Sequence, residues 1–99
     1  MNNFKKKIVR GTEAKPVLVK YTHSSGTLSF QIEFDKKLNT YTLTYRTMKN
    51  FTTSEENVDL KASDFNGAER QAVLYLSGIF DGIGAVCTII SGNLETDFL

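Results

Sequence analysis

Between residues 27 and 48 the chain alternates apolar and polar positions almost without interruption. In Thr27–Asp35, Leu28, Phe30, Ile32 and Phe34 fall on one side, and Thr27, Ser29, Gln31, Glu33 and Asp35 on the other. Successive side chains of a strand point to opposite faces, so this is a strand with one face buried and one wet. Thr40–Met48 repeats the pattern, with Tyr41, Leu43 and Tyr45 opposed to Thr40, Thr42, Thr44 and Arg46. Upstream, Pro16–His23 places Val17, Val19 and Tyr21 on one face and is rich in β-branched residues, which suit strands. Ser24–Gly26 and Lys36–Asn39 supply the turns. Connections this short cannot carry parallel crossovers, so the three runs form an antiparallel meander. Residues 49–57 read as a polar loop, and Val58–Ala62 as a short fourth strand with Val58 and Leu60 turned inward.

The period then changes. Ala72, Leu76, Ile79, Phe80 and Ile83 share one helical face, and Asn66 followed by Glu69 has the spacing of a capping box, predicting a helix from about Ala68 to Phe80. Residues 85–91 fit either a continuation of the helix or a last strand, with their β-branched content favouring the strand. Residues 92–99 read as a polar tail anchored by Phe98. At the other end, residues 1–15 read as a basic arm or a short helix, since Phe4 and Ile8 stand four apart. The expected fold class is α+β: a three- or four-stranded antiparallel meander followed by one long helix packed on the sheet, in a single small domain spanning residues 1–99.

The end of that helix holds the one stretch with the look of a signature. Leu76 to Gly84 resembles the motif of the LAGLIDADG homing endonucleases, with Leu76, Gly78, Asp81, Gly82 and Gly84 at matching places over nine residues. The resemblance implies two such helices packed closely through their glycines. It also implies a metal for phosphodiester cleavage, held by the acid just before the final glycine. Here that position is Ile83, and the motif follows the strands instead of preceding them. The group the chemistry needs is missing, so nuclease activity is not carried over. Gly78 and Gly82 are four apart on one face, and each costs roughly 1 kcal/mol of helix propensity relative to alanine. Close contact with a neighbouring element is the expected compensation, and a large residue at position 78 is then expected to destabilise by overpacking.

Composition narrows the chemistry further. Hydrophobic residues make up 40% of the 99 and charged residues 23%, which excludes a disordered chain. One cysteine, Cys87, permits no intramolecular disulfide and fits a reducing, cytoplasmic setting. The basic N-terminus is followed by no apolar stretch of signal-peptide type, and no run approaches the roughly 20 residues of a membrane span. His23 is the only histidine, and no His/Cys/Asp cluster has metal-ligand spacing. No phosphate-binding glycine loop is present. No catalytic, cofactor-binding or metal-binding residues are therefore expected, nor a small-molecule substrate.

Charge is distributed unevenly. Residues 1–50 hold ten Lys/Arg and three Asp/Glu, while residues 51–99 hold two and eight. Lys5, Lys6, Lys7 and Arg10 form the candidate patch for an anionic partner. The wet strand faces carry threonine and serine where a single-strand-binding platform would need aromatics. The helix is apolar on nearly every side, and one small sheet covers one face only. Val73, Leu74, Tyr75, Gly78 and Gly82 are thus the candidate oligomer or close-packing face. The expectation is a small non-catalytic cytoplasmic module that binds a macromolecule, foremost a protein or a second copy in a homodimer, as an accessory or inhibitory factor. Nucleic-acid binding through the basic N-terminal half is the alternative.

Overall fold

The computed structural model describes residues 3–26, 28–49, 52–80 and 85–98. Five antiparallel strands run in simple sequence order: β1 (Phe4–Gly11), β2 (Pro16–His23), β3 (Leu28–Asp35), β4 (Thr40–Lys49) and β5 (Thr52–Leu60). Two helices follow, α1 (Phe65–Phe80) and α2 (Ala85–Phe98), and both lie against the same face of the sheet. The α+β meander holds. It has five strands instead of three or four, and two helices instead of one.

The alternating runs set the register of the central strands. β3 and β4 pair without a break from Leu28↔Thr47 to Asp35↔Thr40, stacking Ile32 on Leu43 and Phe30 on Tyr45. Val19, Tyr21, Leu28, Phe30, Ile32 and Leu43 are all buried on the helix side. A one-residue slip would turn this whole set to solvent, so burial fixes the register.

Residues 4–11 form a strand, not an arm or a helix. The four-residue spacing of Phe4 and Ile8 satisfies a period of two as well as one of 3.6, and pairing along β2 decides between them. Val9 is a β-bulge, having no partner between Ile8↔Val19 and Arg10↔Leu18. Gly11 follows with φ +88°, and a Cβ there would lie 2.5 Å from the Lys15 carbonyl oxygen, so the β1–β2 turn requires glycine at this position.

β5 begins well before Val58, in the stretch expected to be a loop. Its polar residues pair with β4 in unbroken register from Lys49↔Thr52 to Tyr41↔Leu60. It is an edge strand, half solvated, and lacks the apolar alternation by which a strand is usually read.

α1 starts three residues earlier than expected. Asp64, not Asn66, is the cap: its carboxylate accepts the Gly67 N–H at 2.8 Å and its carbonyl accepts the Ala68 N–H at 3.1 Å. Ala68, Ala72, Val73 and Leu76 face the core. α2 decides the open alternative at residues 85–91 for helix, against the local preference for a strand, and corrects the polar tail, for residues 85–91 and 92–98 are one helix. The β-branched residues are outweighed by packing on α1. There Ser77 and Ser91 are both buried, with their hydroxyls 2.9 Å apart, and Ser91 also donates to the Ser77 carbonyl at 3.2 Å. Farther along α2, Ile90 and Leu94 are fully buried. Phe98 closes an aromatic cluster, with ring centres 5.5 Å from both Phe4 and Tyr21. Tyr21 in turn stacks on Phe30 at 4.4 Å.

α2 also holds the start of the sheet. The Asp97 carboxylate accepts the Asn3 N–H at 2.9 Å, the Asn3 side-chain amide at 2.9 Å and the Phe4 N–H at 3.0 Å. Burial alone would raise the pKa of this carboxyl. The three hydrogen bonds outweigh it and hold Asp97 below its ordinary 3.8.

Candidate functional site

Strand alternation divides the candidate basic patch. Lys6 turns to the helix side, where its ammonium pairs with Glu69 of α1 at 3.0 Å and sits 5.8 Å from the ring centre of Tyr21 and 5.4 Å from that of Phe65. The fully buried Tyr21 donates its hydroxyl to the same Glu69 oxygen. Burial, the hydrogen bond to Glu69 and the Glu69 charge push the Tyr21 phenol far above its usual range. Lys6, Tyr21 and Glu69 thus link β1, β2 and α1 as part of the scaffold. Arg10 is also engaged, pairing with Glu33 on the open side of the sheet.

Lys5 and Lys7 remain on that open face, and the register adds a residue the sequence-based patch lacked. Lys20 of β2 stands directly opposite Lys7, while Lys5 faces Thr22. From Lys20 the same cross-strand row continues through Gln31 to Thr44. The neighbouring row runs from Lys5 through Thr22 and Ser29 to Arg46. Lys20, Thr22, Ser29, Gln31, Thr44 and Arg46 line an open hollow of about 270 Å³, closed at its far end by Glu55, which pairs with Arg46 at 2.7 Å. Lys20 is not identifiable as part of this surface from spacing along the chain. It takes the pairing of β1 with β2.

The helix face is divided as well. Val73 is fully buried and belongs to the core. Leu74 and Tyr75 point outward, 51% and 40% exposed, and Gly78 lies on the same exposed side. A Cβ added at Gly78 would meet nothing within 4 Å. Among the described residues no element presses on Gly78, and the close approach expected there is not made by any of them. Gly82 and the other motif positions Asp81, Ile83 and Gly84 lie outside the described residues. Tyr75 leans toward the sheet, its ring centre 6.1 Å from that of Tyr45, whose hydroxyl donates to Glu56 of β5 at 2.8 Å. Burial and the hydrogen bonds to Glu56 and Tyr75 raise the Tyr45 pKa well above the ordinary value.

His23 is buried and its two ring nitrogens are occupied. Nδ1 accepts the Ser25 N–H at 3.1 Å, and Nε2 lies 2.8 Å from the side-chain amide oxygen of Asn93. The ring packs edge-on against Phe4 at 4.9 Å. This is a histidine that joins the β2–β3 turn to α2. Cys87 lies on α2. Among the described residues no group of three or more His, Cys, Asp or Glu could hold a metal ion. Nor, among them, is any helix long and apolar enough to cross a membrane.

Two surfaces are therefore available for recognition: the outer side of α1 around Leu74, Tyr75 and Gly78, and the polar open face of the sheet. Compared with known proteins, the sequence matches no family model, and neither curated protein sequences nor solved structures give a significant match.

Proposed function

We propose that this chain is a small non-catalytic module of the cytoplasm that acts by binding a protein, as an accessory or inhibitory factor, and that the outer side of α1 is the contact surface. The observation that supports this reading is the pair of large apolar side chains at Leu74 and Tyr75, side by side on a helix that already buries Ala72, Val73 and Leu76 on its other side. Beside them Gly78 leaves a gap over the helix backbone that a partner's side chain can fill. A helix packing through such a gap needs no rearrangement of the chain itself. The same surface on a second copy is self-complementary, and a two-fold homodimer is the simplest assembly it allows.

Sedimentation at micromolar concentration tests the reading with two variants. Leu74→Glu places a charge at the contact without touching the core, and is expected to convert dimer to monomer with the melting temperature of the monomer unchanged. Gly78→Ala is expected to stabilise the monomer by up to about 1 kcal/mol, because an alanine there gains helix propensity and meets open space. That reverses the outcome expected if Gly78 were packed inside the chain. A wild-type protein that sediments as a monomer at all concentrations rules out the homodimer. Unchanged capture of protein partners by Leu74→Glu rules out the helix surface altogether.

A further inference from the structure

We propose that the open face of the sheet, on the side opposite the helices, binds the phosphate backbone of a nucleic acid along the track that begins at Lys5, Lys7 and Lys20. The inference is independent of the helix surface, which lies across the molecule.

The argument begins with an unfavourable contact. Lys7 and Lys20 are directly opposite each other on adjacent strands, and like charges so placed destabilise a sheet. Lys5, two residues along β1, adds a third ammonium to the same corner of the same face. The other cations on strands β1, β2 and β4 with described side chains each have an acid: Lys6 has Glu69, Arg10 has Glu33, and Arg46 has Glu55. Lys5, Lys7 and Lys20 belong to no ion pair among the described residues, and all three are exposed. A bound anion turns this repulsion into a favourable site.

The shape of the surface indicates which anion. The three lysines stand at one end of a polar surface longer than a single phosphate would occupy. From them a polar band continues across the sheet through Thr22, Ser29 and Gln31 to Thr44, whose hydroxyl donates to Asn57 at 2.8 Å, and to Arg46, which is paired with Glu55. From β1 to β4 the band crosses three strand spacings, or roughly 14 Å. A nucleic-acid strand places one phosphate per roughly 3.4 Å of axis, so about four phosphates span it. The band offers free ammonium groups with hydroxyl and amide groups beyond them, and none of its own side chains is aromatic. The recognition it supports is of backbone and not of bases, with little sequence preference.

Fluorescence anisotropy with a short labelled single-stranded DNA, and separately with its duplex, is the direct test. Binding is expected at low salt, with affinity falling on a logarithmic slope of about −2 to −3 as salt rises, in keeping with three lysine–phosphate contacts. The double variant Lys7→Thr, Lys20→Thr is expected to weaken binding by roughly tenfold or more and to flatten the slope by about 1.5 to 2. It is also expected to melt at the same temperature as the parent or higher, because the like-charge pair is gone. A variant at Lys36 and Lys37, in the β3–β4 turn away from the band, is expected to bind as the parent does. Absence of binding at low salt overturns the proposal, as does full binding by the double variant. Polyglutamate that displaces the DNA at equal or lower charge concentration overturns it in favour of an acidic protein partner. A lower melting temperature in the double variant refutes the repulsion from which the argument starts.

Discussion

Asp97→Ala is expected to cost about 3 kcal/mol of stability, measured by urea denaturation at neutral pH. The carboxylate accepts three hydrogen bonds, two from backbone N–H groups that open β1 and one from the Asn3 amide. Hydrogen bonds to a charged group are each worth roughly 1.5–3 kcal/mol, and the sum is reduced because the freed donors are only partly buried and regain water. In a domain of this size such a loss lowers the melting temperature by more than about 10 °C. The effect carries a pH signature. The folded pKa of Asp97 lies below its ordinary 3.8, so the stabilisation is complete above that value. It disappears as pH falls through the folded pKa, where the carboxyl becomes protonated in both states. The stability gap between the parent and Asp97→Ala is therefore expected to hold from pH 7 to about pH 5 and to narrow below pH 4. A gap that stays constant into strong acid would show that the charge is not what holds β1.

Glu69→Ala is expected to destabilise by about 2–3 kcal/mol. It leaves the hydroxyl of the fully buried Tyr21 without its acceptor and the Lys6 ammonium without its partner. An unmade hydrogen bond at a buried group costs roughly 1–3 kcal/mol, which sets the scale. Lys6 retains partial access to water and loses less. The comparison that isolates the network is a double-mutant cycle with Tyr21→Phe. Once the hydroxyl is gone, removal of Glu69 is expected to be milder by about 1 kcal/mol or more. Strict additivity in that cycle would mean that Tyr21 and Glu69 do not depend on one another.

What the sequence made legible follows from which residues have a buried face. β3 and β4 could be read because each alternates apolar with polar, β2 because it is rich in β-branched residues with Val17, Val19 and Tyr21 on one face, and the first helix because the period changes after Ser63. β5 was hidden because Thr52–Asn57 contains no large apolar residue, and an edge strand can be held by its backbone pairing with β4 alone. β1 was ambiguous because Phe4 and Ile8 satisfy two periods at once. α2 was misread because Val86, Ile89 and Ile90 favour strands locally. What makes the segment helical is tertiary: two serines, Ser77 and Ser91, small enough to let the helices meet and able to bond one another. On the functional side, the helix face was legible as an excess of apolar residues, although Val73 belongs inside. The basic patch was legible as composition but not as a surface. Reading four cations along the chain includes Lys6, which alternation turns inward, and leaves out Lys20, which only strand pairing brings to Lys7.

The bulge at Val9 bears on how copies of this protein meet at their sheet edges. The two outer strands carry opposite charge: β1 has Lys5, Lys6, Lys7 and Arg10, and β5 has Glu55, Glu56 and Asp59. Two copies approaching like edge to like edge repel. Only β1 of one against β5 of the next is attractive, a head-to-tail contact that leaves a fresh edge at each addition unless its rotation closes a ring. The β5 edge, regular over nine residues, is suited to such growth. The β1 edge is not, because the bulge breaks the even spacing of its backbone donors and acceptors midway along the strand. One extra residue at position 9 thus stands between a charge pattern that invites end-to-end stacking of sheets and a backbone that refuses it. Removing that residue would make the pairing even from Phe4 to Arg10 and bring the β1 edge closer to one that another sheet can extend.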